Sequence, residues 1–235
     1  MKKKSLAIIT ARGGSKRLPN KNIKVFCGKP IIEYSIKTAL ESNLFDDVMI
    51  STDNSAIAEI AISAGASLPF FRSAENSNDF AGTADVLCEV IESFKNLGIE
   101  YSVACCIYPT APFITVDSLK NGLELFENGK YDVVFPSVKY SYPIQRAINI
   151  DTGLNNKVSM LWPDNYSKRS QDLDLVFHDA GQFYWFCPST MLAKRKLFTD
   201  NTGSLIISEL MVQDIDTIED WKIAEIKYRI LKERY

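Results

Sequence analysis

The stretch that decides the fold is Leu6-Ala-Ile-Ile-Thr10, followed by Ala11-Arg-Gly-Gly-Ser-Lys-Arg-Leu-Pro-Asn-Lys-Asn22. The first five residues form an apolar run that is typical of a buried strand, and this run leads directly into a polar loop. The loop contains two glycines, a serine hydroxyl and four cationic side chains. Glycines let backbone amides approach an anion, and cationic side chains neutralise its charge. The sequence therefore predicts a strand followed by a polyphosphate-binding loop.

The charge distribution around this loop is uneven. The chain carries 27 basic and 29 acidic residues, so it is nearly neutral overall. Residues 1–32 nevertheless contain nine Lys or Arg and no Asp or Glu, which leaves 18 basic against 29 acidic residues elsewhere. A local positive field suits a small, highly charged ligand, whereas a nucleic-acid-binding protein more often presents an extended basic face. We therefore expect no nucleic-acid partner, and we interpret Lys2, Lys3 and Lys4 as a solvated terminus.

Composition and length favour a single globular domain over residues 1–235. The chain is 46% hydrophobic, which is enough for one sizeable core. The apolar runs are too short for a membrane span or a signal peptide, so we expect no membrane partner. Five cysteines without a Cys-x-x-Cys spacing indicate neither a disulfide framework nor a zinc site, which favours a cytoplasmic location. Cys105 and Cys106 lie in an apolar run, and we predict that both are buried.

Short Val/Ile-rich runs alternate with helical patterns along the first 137 residues. Predicted strands are Val48–Ser51, Leu68–Phe71, Val103–Tyr108 and Val133–Ser137, and predicted helices begin at Pro30, at Asp53 or Asn54, at Thr83 and near Thr115. This rhythm predicts an α/β fold in which helices cover both faces of a mostly parallel sheet. Ligands of such sheets bind beyond the carboxyl ends of the strands, where the Arg12 loop must lie.

The second half of the chain is less regular. Residues 139–180 are polar and aperiodic, and we predict that they form an inserted hairpin or arm. Regular patterns return with strands at Gln182–Cys187 and near Ser204–Ser208. A closing helix follows, for which Thr217 and Asp220 approximate a capping box.

The loop after the first strand lacks both G-x-G-x-x-G and a Walker-type Gly-Lys-Ser/Thr. Its order, a strand, A-R-x-G-S-K-R and then K-N, resembles the CMP-sialic acid synthetase family of cytidylyltransferases over almost the whole chain. The resemblance implies a Rossmann-like nucleotidyltransferase fold, CTP as co-substrate and a homodimer held by a small inserted dimerisation arm. It assigns Arg12, Ser15, Lys16 and Lys21 to phosphate oxygens and Asn22 to the nucleoside. Ala11, Gly13 and Gly14 complete the predicted nucleotide-binding loop.

A second loop, from Arg72 to Thr83, is placed to read the base. It follows a predicted strand and precedes a helix whose first amides are free to bond an acceptor. By resemblance, Arg72 and the backbone around Ala81 to Thr83 contact cytosine. Taken alone, Arg72 is equally compatible with a surface ion pair, and Thr83 with a helix cap.

The segment Gln213-Asp-Ile-Asp-Thr217 provides candidate metal ligands. Asp214 and Asp216 are two residues apart, so in an extended segment both carboxylates project to one face while Ile215 points into the core. Mg²⁺ is commonly held by one or two carboxylates together with substrate oxygens, and the family uses this D-x-D for magnesium. The alternative makes Asp216 a helix N-cap, although Thr217 could serve instead. We interpret Asp53 only as a helix cap.

The sugar-binding residues separate members of the family. Tyr108-Pro-Thr-Ala-Pro-Phe113 stands where sialic acid synthetases have Q-P-T-S-P-L-R, so Tyr108 replaces the Gln and Ile114 the Arg. Three other segments resemble the pseudaminic acid cytidylyltransferases: Pro143-Ile-Gln-Arg146, Arg169-Ser-Gln-Asp-Leu173 and His178-Asp-Ala-Gly-Gln-Phe-Tyr-Trp185. Arginine can bind a carboxylate bidentately, and glutamine can read acetamido and hydroxyl groups. The predicted sugar-binding residues are Tyr108, Thr110, Gln145, Arg146, Arg169, Gln171, His178, Gln182 and Tyr184.

These features predict transfer of CMP from CTP to pseudaminic acid, with pyrophosphate as the second product. The predicted catalytic residues are Arg12, Lys21, Asp214 and Asp216, and the predicted cofactor is Mg²⁺. By resemblance, the product serves glycosylation of bacterial flagella or surface glycans. Two alternatives stay open: a cytidylyltransferase for N-acetylneuraminic or legionaminic acid, and a non-catalytic nucleotide-binding protein with this fold.

Overall fold

The computed structural model describes residues 4–153 and 155–233. Lys4 is exposed, as predicted, whereas Lys2 and Lys3 lie outside the described residues. The strands are β1 (Ser5–Thr10), β2 (Val25–Phe26), β3 (Lys29–Pro30), β4 (Asp47–Ser51), β5 (Val103–Ile107), β6 (Val133–Lys139), β7 (Ile148–Asp151), β8 (Lys157–Met160), β9 (Phe177–Asp179), β10 (Phe183–Phe186) and β11 (Thr202–Ile206). The α-helices are α1 (Ile32–Ser42), α2 (Ser55–Ser63), α3 (Thr83–Asn96), α4 (Val116–Gly129), α5 (Pro188–Lys194) and α6 (Ile218–Glu233).

Seven strands form the central sheet in the order β11-β6-β10-β5-β1-β4, and β9 pairs with β6 beside this path. Strands β4, β1 and β5 are mutually parallel, as are β6 and β11, while β10 runs antiparallel to both β5 and β6. Because β10 lies between them, β5 and β6 point the same way. The strand directions therefore confirm the mostly parallel α/β sheet, with β9 and β10 reversed.

Strand β1 lies inside the sheet, between β5 and the edge strand β4, and is buried on both faces. Ala7 and Ile9 pack into one hydrophobic cluster, while Leu6 and Ile8 pack into the cluster on the opposite face. Alternate side chains of a strand point to opposite faces, so burial of both faces requires the continuous apolar run seen in the sequence. The prediction for the opening stretch is thus confirmed.

The five cysteines are free thiols. Cys105 and Cys106 are fully buried on opposite faces of β5, and burial raises the pKa of both thiols. Their predicted role as small buried hydrophobic residues is confirmed.

Three predicted elements differ from the structure. The first helix begins at Ile32, because Pro30 belongs to β3, which pairs with β2 across a turn where Cys27 and Gly28 have positive φ. Residues 68–71 do not form a strand; only an isolated bridge joins Met49 to Ser67. Pro69 has no backbone N–H to continue that pairing. The last strand lies two residues earlier than predicted, at Thr202–Ile206.

The predicted arm contains a separate two-stranded hairpin formed by β7 and β8. The chain leaves the central sheet at the end of β6 and returns through β9, which pairs antiparallel with β6. The inserted hairpin that the sequence predicts is therefore present between the strands β6 and β9. Its role in dimerisation stays a prediction.

A third hydrophobic cluster ties the Arg12 loop to the chain's last helix. The cluster buries Leu18 of the loop, Phe26 of β2 and Trp221 of α6. It also buries Ile215, which precedes α6. Ile215 therefore points into the core, as predicted, and holds the flanking Asp214 and Asp216 at the surface of this cluster. The capping box of α6 is also confirmed, since the Asp220 amide donates to Thr217 Oγ1 at 3.2 Å and Thr217 N donates to Asp220 Oδ2 at 2.8 Å.

Within residues 4–153 and 155–233, no helix combines the length and the apolar composition that a membrane crossing requires.

Candidate functional site

The candidate site is a cavity of about 490 Å³ at the carboxyl ends of β1 and β5. Ligands of open α/β sheets usually bind beyond the carboxyl ends of the strands. The cavity is lined by Thr10, Arg12, Ser15, Lys16, Arg17, Leu18, Lys21, Asn22, Arg72, Asp79, Ala81, Thr83, Val86, Tyr108, Pro109, Thr110 and Asp216. Residues from four separate parts of the chain, three of them predicted to bind nucleotide or metal and one to bind sugar, thus meet around one space.

The backbone of the basic loop is held against the end of β4. Gly13 N donates to Asp53 Oδ1 at 2.8 Å, and a Cβ atom at Gly13 would come within 2.9 Å of Asn54 Nδ2. Asn54 caps α2 by accepting from Ile57 N. The prediction that Asp53 only caps a helix is therefore wrong: the cap falls one residue later, and the Asp53 carboxylate instead fixes the loop.

Other residues predicted to belong to the nucleotide-binding loop are used mainly to hold the loop backbone in place. Ala11 is fully buried, and its amide donates to Ser51 O at 3.0 Å. Asn22 is also buried and donates from Nδ2 to Arg12 O at 2.9 Å, although it does line the cavity. Gly14 is exposed, and neither Ala11, Gly13 nor Gly14 lines the cavity. The structure gives these residues positions that shape the loop around Arg12.

The four cationic side chains of the loop are divided between two carboxylates. Arg12 Nη1 donates to Asp79 Oδ1 at 2.6 Å, and Lys16 Nζ donates to the other oxygen of the same carboxylate. Arg17 Nη2 lies 2.8 Å from Asp216 Oδ2. The fourth cation, Lys21, lies 3.3 Å from Asp216 Oδ1 and donates to Ile215 O at 2.6 Å. The cavity therefore has two cationic groups, each facing one acid.

The base-reading candidates lie on the wall opposite the basic loop. Arg72 is buried and donates to Ser51 Oγ at 3.0 Å and to Ser51 O at 2.6 Å, and burial lowers the pKa of its guanidinium. This excludes the alternative of a surface ion pair for Arg72. The N-cap of α3 is Gly82, so Thr83 is free to place its hydroxyl 3.0 Å from Tyr108 Oη. Ala81 lines the cavity beside them.

The two candidate metal ligands differ in their surroundings. Asp216 lines the cavity, whereas Asp214 does not. The pKa of the Asp214 carboxyl is raised because nearby protein atoms partly desolvate it, although the residue still reaches solvent, and because Asp216 adds negative charge. Thr217 caps α6, so Asp216 is not used as the N-cap. In the described part of the chain, no group of three or more His, Cys, Asp or Glu side chains gathers as a metal site.

Two of the sugar-binding candidates, Tyr108 and Thr110, line the cavity. Tyr184 packs behind Tyr108 with ring centroids 5.4 Å apart and donates from its hydroxyl to Asp179 Oδ2 at 2.7 Å. Burial and the nearby acid raise the pKa of Tyr184. Gln182 is buried and donates to Met211 O at 2.5 Å. Neither Tyr184 nor Gln182 lines the cavity, although Tyr184 contacts the lining residue Tyr108.

The remaining sugar-binding candidates lie outside the cavity, on the arm or at its return to the sheet. Gln145 donates to Asp174 O at 2.8 Å and Arg146 to Lys168 O. Arg169 forms a two-point contact with Asp172, at 2.7 Å and 3.0 Å. Gln171 is exposed, and His178 Nδ1 lies 2.9 Å from Asp179 O. Within one chain, the structure does not bring these five side chains to the cavity.

Sequence reasoning missed two charged groups of the cavity. Arg17 was visible as part of the basic loop, but nothing local indicated that it would face Asp216. Asp79 had no sequence signal, because its partners Arg12 and Lys16 lie more than 60 residues earlier in the chain. Contacts of this kind depend on how the loop at residues 73–82 folds over the first strand.

The comparisons with known proteins agree with this geometry. Residues 6–200 match the family model described as cytidylyltransferase. The chain is 40% identical over 227 residues to a pseudaminic acid cytidylyltransferase of Campylobacter jejuni, covering 97% of each chain. It is 26% identical to a CMP-N,N'-diacetyllegionaminic acid synthase of Legionella pneumophila, covering 94% of each chain.

Solved structures show the same fold. A CMP:2-keto-3-deoxy-manno-octonic acid synthetase complexed with CTP has a TM-score of 0.70 at 17% sequence identity, covering 98% of this chain and 99% of the other. The chain belongs to the cytidylyltransferase family and is therefore a nucleotidyltransferase. The resemblance to the cytidylyltransferases, which the sequences of the basic loop and the arm indicated, is confirmed.

Proposed function

We propose that this enzyme transfers CMP from CTP to pseudaminic acid and releases pyrophosphate. The observation that carries the proposal is the single cavity in which the basic loop, the Arg72 to Thr83 loop, Tyr108 and Asp216 meet. The choice of sugar rests on the Campylobacter jejuni relative, which is similar over nearly its whole length. The arm segments that resemble the same enzymes support this choice.

The triphosphate would lie against the basic loop. Arg12, Lys16, Arg17 and Lys21 provide positive charge from one side, and Ser15 provides a hydroxyl. Charge-assisted hydrogen bonds from such groups are stronger than neutral ones, and the arginine fork can contact two phosphate oxygens. The loop backbone is already fixed, because Asp53 accepts from the Gly13 amide and Asn22 donates to the Arg12 carbonyl, so little further ordering would be needed on binding.

Cytosine would lie against Arg72, Ala81 and Thr83. The buried Arg72 uses part of its guanidinium to bond Ser51, which fixes the orientation of its remaining donors. Those donors suit the acceptor atoms O2 and N3 of cytosine. A buried polar group that loses its partner is costly, so this arrangement disfavours bases that present a hydrogen at the same position.

Asp214 and Asp216 fit a magnesium ion by the chemistry of their donors. Hard Mg²⁺ prefers oxygen ligands and is commonly bound through one or two carboxylates, with phosphate oxygens and water completing its coordination. The buried Ile215 keeps both acids on one extended segment beside the phosphate loop. Bound there, Mg²⁺ would neutralise phosphate charge and lower the pKa of the attacking hydroxyl.

In the proposed reaction, the anomeric hydroxyl oxygen of the sugar attacks the α-phosphorus of CTP. The new bond joins that oxygen to the α-phosphorus, the bond from the α-phosphorus to the bridging oxygen breaks, and pyrophosphate leaves towards Arg12 and Lys16. The hydroxyl proton would pass to a water molecule in the same process. The protein contributes mainly by positioning the reactants and neutralising charge.

We further propose that a second copy of this chain covers the arm. Ile148, Ile150, Val158 and Met160 occupy paired positions on one face of the β7–β8 hairpin, and the first three are more than half exposed. An isolated hairpin is marginally stable, and an apolar face of this kind favours a partner. In such a dimer, Arg146 and Arg169 could reach the cavity of the second copy. Within one chain, their hydrogen bonds are to Lys168 and Asp172 of the same arm.

Sedimentation can test the dimer. The wild-type protein should sediment at twice the mass of one chain, and the double variant Ile150→Lys/Val158→Lys should shift it to the monomer mass. The matched control is Asn149→Lys/Ser159→Lys, which places the same charges at the paired positions on the opposite face. A wild-type monomer, or equal behaviour of both variants, would contradict the proposal.

The sugar preference can be tested by coupled pyrophosphate release. With CTP and Mg²⁺ we expect turnover with pseudaminic acid to exceed that with N-acetylneuraminic or legionaminic acid by about 10-fold or more in kcat/KM, because differently placed groups leave buried polar partners unpaired. A higher kcat/KM with either other sugar would move the assignment to that sugar. CTP binding by calorimetry without turnover on any of the three would favour the non-catalytic alternative.

A further inference from the structure

We propose that Asp79 is an internal competitor for the phosphate site, and that it sets the affinity of the basic loop for CTP and pyrophosphate. The inference deepens the proposed function, on which its biological meaning rests. Asp79 belongs to the loop that precedes α3, whereas the cations it contacts belong to the loop that follows β1. It therefore reaches the cations of the basic loop from a separate segment of the chain that also lines the cavity.

The Asp79 carboxylate stands where two phosphate oxygens would. One of its oxygens accepts from Arg12 Nη1 at 2.6 Å, and the other accepts from Lys16 Nζ. These are the two cations nearest the start of the loop, and both line the cavity. Hydrogen bonds from Lys16 and Arg12 lower the pKa of Asp79, so the competing group stays ionised.

The local structure presents Asp79 without burying it. Asn78 Oδ1 accepts from the amides of Phe80 and Ala81, at 2.7 Å and 3.0 Å, which forms a tight turn around Asp79. The Asp79 side chain is 38% exposed and that of Lys16 is 79% exposed. Exposed ion pairs of this kind are weak, so an anion with more charge can displace them.

A bound triphosphate and the Asp79 carboxylate compete for the positive charge of the same two cations. Like charges in contact repel, so phosphate oxygens reach Arg12 and Lys16 most favourably when the carboxylate has moved away. CTP binding is therefore weakened by the fraction of protein in which Asp79 occupies the site. After the reaction, the same carboxylate returns to Arg12 and Lys16 and so weakens the retention of pyrophosphate.

Calorimetry on Asp79→Asn tests this inference directly. The substitution keeps the size of the side chain and removes its charge. In metal-free buffer we expect CTP, pyrophosphate and inorganic tripolyphosphate to bind about fivefold more tightly or better than to wild type. Cytidine has no phosphate and should bind equally to both proteins.

Glu75→Gln is the matched control. Glu75 lies on the same loop but lines a neighbouring open pocket rather than the CTP cavity, so removing its charge should leave all four affinities unchanged. Unchanged polyphosphate binding to Asp79→Asn would overturn the inference, and weaker binding would show that Asp79 organises the cations instead. Tightening shared equally by Glu75→Gln would also overturn it, since that result reflects net charge alone.

Inorganic tripolyphosphate separates this inference from the proposed function, because it contains neither base nor sugar. If wild type binds tripolyphosphate but gains nothing from the cytidine of CTP, the proposed function fails while the role of Asp79 is still measured. If CTP binds and reacts as proposed but Asp79→Asn does not tighten polyphosphate binding, only the competitor role fails.

Discussion

Arg12→Ala is expected to lower kcat/KM for CTP by about 10²-fold or more, the usual scale for removing a preorganised charge partner from an active site. Arg12 lines the cavity beyond the end of β1, and its carbonyl is held by Asn22. The alanine variant keeps Lys16, Arg17 and Lys21, but the two lysines lack the two-point contact of a guanidinium, and Arg17 already faces Asp216. Initial rates of pyrophosphate release at varied CTP measure the effect.

Arg229→Ala is the matched control, because Arg229 is an exposed arginine of α6 that pairs with Glu225 at 3.9 Å and does not line the cavity. It should retain wild-type kinetics. Arg12→Lys should recover part of the lost rate, since it restores the charge but not the fork. A kcat/KM near that of the wild type for Arg12→Ala would contradict the assignment of Arg12 to the catalytic site.

Asp216→Asn is expected to lower the turnover rate by about 10²-fold or more at saturating magnesium. The asparagine side chain has the same size and still accepts hydrogen bonds, but it offers a cation a neutral oxygen. In this variant Asp214 is the one remaining carboxylate of the pair. Because Asp214 does not line the cavity, we expect that it cannot compensate for the lost charge of Asp216. The rate should be measured across a magnesium titration, together with CTP binding with and without magnesium.

The binding measurement separates two roles of Asp216, which also contacts Arg17 and Lys21. A metal ligand should lose only the magnesium-dependent part of CTP affinity, whereas a residue that merely positions the cations should change metal-free binding equally. Glu219→Gln, an exposed acid in the first turn of α6, is the control for net charge. Wild-type turnover of Asp216→Asn at saturating magnesium would contradict the assignment.

Much of the fold could be predicted from local pattern. The run from Leu6 to Thr10 implies burial on both faces, and the structure places it inside the sheet between β5 and β4, with a hydrophobic cluster on each face. Helices α3 and α4 begin within one residue of their predicted starts, because a cap or first-turn residue marks each. The strand predicted at residues 68–71 was wrong, because a short apolar run does not show whether a neighbouring strand is available to pair with it.

Most residues of the candidate site could also be predicted, with help from family resemblance. Arg12, Ser15, Lys16, Lys21, Arg72, Thr83 and Asp216 are all found around one cavity. The role of Asp53 was misread because a capping residue and its neighbour look alike in sequence, and only the approach of Gly13 distinguishes them.

The sequence by itself determined the apolar first strand, the cationic loop and the acid pair that flanks a buried isoleucine, because each depends on neighbours within a few residues. Only the tertiary structure decided that Asp79 faces Arg12 and Lys16, that Asp216 faces Arg17 and Lys21, and that the arm arginines lie away from the cavity of their own chain. The contacts of Asp79 and Asp216 join residues more than 60 positions apart in the chain. Their formation depends on strand order and loop path, which local periodicity does not encode.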